Sequence, residues 1–338
     1  MPAAPRSAPQ PVLVACSGGA DSVALLGLLA LLEGPERLAL TVAHVDHALR
    51  PESEAEARLV TSLATQIGVA VRHRRLHLRR GPGLPARARA ERRAALMAMA
   101  SDLDAPWLAL GHTRTDQAET VLLHLTRGAG TGGLGGMRSY NGRWWRPLLD
   151  LGRDETRALA ERLALAFVDD PTNDDRNAPR TMVRHEVLPR LATINPGVER
   201  ALATAADHAA RAEDALHGWA AAEAERRRVS MSGMSAPSAP SAKSAVPADA
   251  IAGYDIADAG ALPAEVRRRL IRCACQHAGI ESDAVPARVV AEIDAALAAG
   301  GPARGWDLHP HTRVHLAGDR LWIERAAKAG CGDRGANH

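Results

Sequence analysis

Lysine is almost absent from this 338-residue chain: Lys243 and Lys328 are the only two, and every other fixed cation is arginine. Arginine makes flat, two-pronged contacts with phosphates and carboxylates, so the composition suits anion binding, although a GC-rich coding bias gives the same pattern. It also leaves residues 12–200 without a lysine nucleophile, so lysine chemistry there needs an amine from outside. Cysteine is scarce. Cys16, Cys273, Cys275 and Cys331 form no C-x-x-C pair, which argues against a zinc ribbon or disulfide framework and fits a reducing compartment. No apolar run is long enough to span a bilayer, and Met1 to Pro11 lacks the basic-then-apolar order of a signal peptide. The expectation is a cytoplasmic protein with no membrane partner. A net charge of +3 permits a nucleic-acid partner without requiring one.

The length predicts about two domains. The expected division is a disordered N-terminus (1–11), a main domain (12–200), a linker helix with a Ser/Ala/Pro-rich flexible segment (201–250), a small domain (251–325) and a disordered tail (326–338). In the main domain, strands alternate with helices, which predicts an α/β fold with a doubly wound, mostly parallel sheet. The first strand, from Val12, breaks at Ser17-Gly18-Gly19 and re-enters order as a helix from Asp21 to Leu32. Such a turn converges backbone N–H groups on a helix N-terminus and makes an anion site. No Gly-Lys-Ser/Thr follows, so it is not the Walker loop; an ordinary strand–helix turn is the plain alternative.

Further motifs sit at the ends of later strands, where ligands bind in open α/β sheets. Leu38 to Val45 leads into His44-Val45-Asp46-His47, which lacks the ligand set of a structural zinc centre and reads as a nucleotide-side or plain polar loop. Beyond the basic loop Arg79 to Gly83, Arg89 and Arg92 share a helical face, either clasping one anion or meeting solvent. Trp107 to Gly111 is a third strand, and His112 to Thr120 opens a helix. Asp116 and Glu119 lie in its first turn, to share a cation or to cap. The glycine tract Arg127 to Met137 is expected to be neither helix nor strand, but a flexible lid or a close backbone approach. Arg143-Trp144-Trp145-Arg146 has the pattern of a base-stacking tract, with one tryptophan in the core. Asp169 to Asp174 reads as a polar turn before Arg180 and Arg184, one helical turn apart. The small domain is expected to hold two helices, Leu262 to Ala278 and Val285 to Ala299, and two short strands within Trp306 to Arg325. The first helix is arginine-rich, facing RNA or solvent, while Cys273 and Cys275 serve packing.

Ser-Gly-Gly-x-Asp-Ser resembles the PP-loop of the N-type ATP pyrophosphatases (adenine nucleotide α-hydrolase-like), which split ATP into AMP and pyrophosphate. The ordered set SGGADS (Ser17 to Ser22), HVDHALRPES (His44 to Ser53), ARAERR (Ala88 to Arg93), GHTRTDQAET (Gly111 to Thr120), RGAGTGGLGGM (Arg127 to Met137) and DDPTNDDRNAPRTMVR (Asp169 to Arg184) is similar to the tRNA(Ile)-lysidine synthetases. The resemblance covers residues 12–200 strongly and 251–325 more loosely, as a tRNA-binding domain. It implies ligation of free L-lysine to the wobble cytidine of the CAU anticodon of tRNA(Ile), with ATP as co-substrate, magnesium as the metal, and a homodimer left open. It implies ATP contacts at Ser17, Gly18, Gly19, Ala20, Asp21, Ser22, His44, Asp46, His47, Gly111 and His112. Catalytic roles fall on Asp21, Asp116, Arg89, Arg92, Arg180 and Arg184, metal binding on Asp21 and Asp116, and substrate or lid contacts on Glu119, Gly132, Gly133 and Gly135. Three positions depart from the family pattern: Thr115 for a usual aspartate, Arg93 for a tyrosine and Thr181 for an asparagine. A PP-loop thiolase, which generally needs cysteines near the nucleotide, and a nonenzymatic ATP- or tRNA-binding relative are the rival readings.

Overall fold

The computed structural model describes residues 9–32, 38–46, 53–78, 81, 83–168, 178–229, 250–281, 284–300, 302–309 and 312–325. His47, most of the basic loop at 79–83, the polar turn after Val168, the segment 230–249 and the tail from 326 lie outside the described residues. The chain forms two compact units, Met1–Arg211 and Ala212–His338.

In the first unit, strands β1 (Gln10–Ala15), β2 (Leu38–Asp46), β3 (Ala70–Arg75), β4 (Trp107–Leu110), β5 (Tyr140–Asn141) and β6 (Trp144–Trp145) form one sheet in the order β3-β2-β1-β4-β6-β5. All pairings are parallel except that of β5 with β6. β1 lies centrally because it is apolar on both faces. Val12 and Val14 pack with α1 (Ala20–Leu31), α2 (Ser53–Ile67) and α6 (Arg153–Arg162), while Leu13 and Ala15 pack with α3 (Leu84–Asp102). The connections run outward in opposite directions from β1 and β4, so the crevice between their carboxyl ends is the topological switch point.

One tryptophan lies in the core as expected, Trp144 at 8% exposure, and one expectation for this unit, the glycine tract without helix, is corrected. The Trp144-Trp145 tract is a sheet strand whose rings the protein itself uses: Arg93 lies 4.5 Å above Trp144, and Tyr140 stacks on Trp145 with centroids 6.1 Å apart. A local arginine–aromatic pattern cannot distinguish such a strand from a base-stacking surface. The glycine tract contains one helical turn, α5 (Thr131–Leu134). It is anchored to α4 (Arg114–Leu125), since the Gln117 amide donates to the Met137 carbonyl at 3.0 Å and accepts from the Met137 N–H at 2.7 Å. Gly136 has φ +58°, and a Cβ there would meet Gln117 Oε1 at 2.6 Å, so glycine is needed for that clamp.

The helix pair α7 (Pro179–Met182) and α8 (Leu188–Ile194) is joined by a π-helical turn, Val183–Val187. The long helix α9 (Val198–Arg227) follows and extends across the boundary between the units.

In the second unit, β7 (Ala250–Asp255), β8 (Arg304–His309), β9 (Thr312–Ala317) and β10 (Arg320–Glu324) form an antiparallel sheet in the order β7-β10-β9-β8. Three strands therefore occupy the region where two are expected, and the sequence reading missed β8. The helices α10 (Ala264–His277) and α11 (Ala287–Ala299) share one core with this sheet through Leu270, Ile293, Val314 and Ile323. Cys273 and Cys275 are buried in it. The arginines of α10 are tied internally. Arg267 and Arg268 bind the buried Asp294 at 2.6 and 3.0 Å, and Arg269 binds Glu213 and Glu265. Removing the carboxylate leaves the largely buried Arg267 without its ionic partner, whereas Arg268 meets solvent and keeps Glu265, so Asp294→Ala is expected to lose about 3 kcal/mol of stability, read by urea unfolding.

Candidate active site

The site is built from two helix N-termini that meet at the switch point. After β1 the chain turns through Gly18, whose φ of +90° favours glycine, and Gly19 caps α1. The Ser22 hydroxyl braces this turn from within, accepting from the Ser17 N–H at 3.1 Å and donating to the Gly19 carbonyl at 2.9 Å. His44, buried at the end of β2, donates from Nδ1 to the Cys16 carbonyl at 3.0 Å; Nε2 is buried without a partner, and burial pushes the imidazole pKa down. Asp46 pairs with Arg75 at 3.6 Å, on the β3 side of the crevice.

After β4, Gly111 lets the second strand end approach the first helix. A Cβ there would lie 3.0 Å from the Asp21 carbonyl carbon and oxygen. Thr113 then caps α4. Asp116 accepts through Oδ2 from the Thr113 N–H at 2.9 Å and the Thr113 hydroxyl at 3.0 Å. Its other oxygen, Oδ1, faces Arg153 at 3.0 Å and Arg180 at 3.2 Å. Burial opposes ionisation, yet Arg153, Arg180 and the Thr113 amide together hold the Asp116 pKa down at about 2. Asp21 accepts from Thr156 and lies 4.0 Å from Arg153; burial outweighs these contacts and raises its pKa. Among the described residues no group of three His, Cys, Asp or Glu forms a protein-only metal cage. Two carboxylates do fit magnesium, which commonly takes one or two protein carboxylates and completes its shell with phosphate and water.

Glu119 is fully buried and clasped from both sides, by Arg180 Nε at 2.5 Å and Arg184 Nε at 2.6 Å. Arg184 lies in the π turn that follows Arg180, a helical irregularity frequent at functional sites. Thr115 turns elsewhere and donates to Glu199 at 2.9 Å. An aspartate there would face that carboxylate.

Arg89 and Arg92 have a different environment. Neither has a carboxylate partner among the described residues. Burial first, then the charges of Arg180 and Arg93, lower the pKa of Arg89; burial and Arg89 lower that of Arg92. Arg146 shares this environment, depressed by burial and by Arg93 and Arg89, with Nε buried and unpaired. His112 lies in the same field. Burial, with Arg146, Arg180 and Arg89 outweighing Asp116, lowers its pKa to about 4, so it is neutral at physiological pH.

Most of the sequence-predicted residues thus converge on the crevice. Glu119 is turned inward onto arginines, and Gly133 lies along α4, where its carbonyl meets His124 Nδ1 at 2.6 Å. Sequence reading missed Arg153 and Thr156; their partners lie far away in sequence and no local motif marks them. The His112 shift has a definite sign. Its folded pKa is depressed, so its contribution is fully present above the unfolded value near 6.5 and is lost as pH falls towards 4. Wild-type stability is expected to fall by about 2 kcal/mol over that window, discounted for partial solvent contact, and His112→Gln to flatten the loss in pH-dependent urea melts.

A family model described as a PP-loop domain matches residues 3–191. A tRNA(Ile)-lysidine synthase of Streptomyces coelicolor is 39% identical, with 84% of this chain and 76% of the relative covered. One of Bradyrhizobium diazoefficiens is 37% identical, with 98% and 94% covered. A third, of Xanthomonas campestris, is 40% identical, but the match covers 63% of this chain and only 50% of that protein. Among solved structures, a U34-tRNA thiolase NcsA from Methanococcus maripaludis, described with its [4Fe-4S] cluster, shares the fold at TM-score 0.51 and 19% identity, with 60% of this chain and 73% of that one covered. The PP-loop model spans the residues that build the crevice, and by its relatives of 37–39% identity the chain belongs to the tRNA(Ile)-lysidine synthase family.

Proposed function

We propose that this protein joins free L-lysine to the wobble cytidine of the CAU anticodon of tRNA(Ile), with cleavage of ATP to AMP and pyrophosphate. The observation that carries the reading is the divided charge of the crevice. Two acidic helix N-termini stand beside Arg89, Arg92 and Arg146, whose charged neighbours are mainly other arginines. Cations held together in that way favour a polyanion between them.

In the first step the cytosine O2 attacks the α-phosphorus of ATP. The new P–O bond forms as the bond to the bridging oxygen breaks, and pyrophosphate leaves with the electron pair. The lysine amine then attacks C2; the C–N bond forms, the C2–O bond breaks, AMP leaves and the amine proton passes to solvent. In this reading Ser17, Gly18, Gly19 and Ser22 hold phosphate oxygens, while Ala20, His44, Asp46, Gly111 and His112 line the nucleotide. Arg89 and Arg92 offset charge on the α-phosphate. Arg180 and Arg184, held in place by the buried Glu119, add to that positive charge, and the glycines 132, 133 and 135 line the pocket of the extruded base, which must leave its stack to react. Magnesium bound by Asp21 and Asp116 supplies charge neutralisation on the triphosphate. The reaction belongs in the cytoplasm, where tRNA, ATP and lysine meet. A sulfur-transfer reading is less well supported: Cys16 is the described cysteine beside the turn, and burial pushes its thiol pKa up.

The test is purified protein with tRNA transcripts, ATP, magnesium and labelled lysine. Label is expected in tRNA(Ile) with a CAU anticodon and not in a methionine tRNA carrying the same anticodon; absence of label, or sulfur transfer instead, overturns the reading. Asp21→Asn is expected to lower AMP release by about 10²-fold or more while tRNA binding persists, since charge stabilisation at the reacting phosphate is lost.

A further inference from the structure

Arg153 is the first residue of α6, and one guanidinium nitrogen serves both acids of the site: Nη2 lies 3.0 Å from Asp116 Oδ1 and 4.0 Å from Asp21 Oδ2. Thr156, one turn later, donates its hydroxyl to Asp21 Oδ1. The start of α6 therefore meets both carboxylates and is itself held in place. Glu155 accepts from the Gly152 N–H at 2.6 Å and from Arg114 Nη2 at 2.8 Å. The Arg153 Nε is buried and has no partner, a penalty that a side chain placed for its own hydrogen bonding would avoid. The fork is held by charge: burial disfavours the guanidinium, and Asp116, Asp21 and Glu119 more than restore it. Without this cation, two carboxylates on converging helix N-termini would repel each other in a partly desolvated crevice.

We propose that Arg153 is a built-in counter-cation, a positioning residue that holds Asp21 and Asp116 together in the ligand-free protein and yields its place between them to a divalent cation. The proposal rests on the function above, which supplies the cation. It makes Arg153 a competitor of the metal, whereas a merely structural ion pair would support the fold without opposing metal binding.

The experiment titrates manganese(II) chloride into the full-length protein without nucleotide, following free Mn2+ by electron paramagnetic resonance. Arg153→Met is expected to bind about tenfold more tightly than wild type, because the metal no longer has to displace a charge-assisted hydrogen bond from Asp116. Its melting temperature should be lower in chelator and recover on adding Mn2+. Arg153→Lys should lie between the two proteins, and combining Arg153→Met with Asp21→Asn should remove most of the gain. Affinity in Arg153→Met equal to or below wild type overturns the proposal; if that variant does not fold, Arg153→Lys decides by the same readout. The lysine-transfer assay on wild type is independent of the titration, so an unchanged titration with retained transfer removes the counter-cation and leaves the function.

Discussion

Two helices, α1 and α4, aim their N-termini at one crevice, and each carries an aspartate in its first turn. Either helix dipole alone favours its carboxylate. Together the two acids oppose each other, and Asp116 is among the influences that push Asp21 towards its protonated form. Much of the surrounding architecture answers that conflict. Gly111 sets the close approach of β4 to α1, Thr113 and Thr156 each hold one carboxylate by a hydrogen bond, and Arg153, Arg180 and Arg184 supply positive charge.

Beside this neutralised acidic pair, the balance has the opposite sign. Arg89, Arg92 and Arg146 depress one another or are depressed by their arginine neighbours, a repulsion that the ring face Trp144 offers to Arg93 offsets in part. A triphosphate or an RNA phosphate relieves that repulsion, and a divalent cation relieves the acidic side. Under the function proposed above, the two halves of the site would take the two components of a metal–nucleotide complex side by side at the switch point of the sheet.

Local chemistry was legible in the sequence. The Ser17 to Ser22 turn, the capped start of α4 and the Arg180–Arg184 spacing each lie within a few residues, so spacing alone placed them on the right elements. Arg153 and Thr156 were not legible, because their partners lie 37 and 135 residues away and nothing nearby marks them as more than the start of an amphipathic helix. The tryptophan pair shows a different limit: the arginine–aromatic pattern suits an inner strand as well as an RNA surface, and it is the pairing of Trp144 with Leu108 on one side and Asn141 on the other that marks the strand. The arginines of α10 were ambiguous for a similar reason. Beyond Glu265 on α10 itself, their carboxylates lie on other helices, Glu213 on α9 and Asp294 on α11. The strand β8 carries a glycine and two charged residues within six positions, RGWDLH, and is recognisable mainly by its antiparallel register with β9.

The arginine cluster also bears on how the protein behaves in a test tube. A crevice with surplus positive charge gathers whatever small anions the solution offers, and chloride or inorganic phosphate then act as placeholders that a nucleotide must evict. Apparent nucleotide affinity therefore becomes a property of the buffer as much as of the protein, weaker in phosphate than in a bulky organic anion at equal ionic strength.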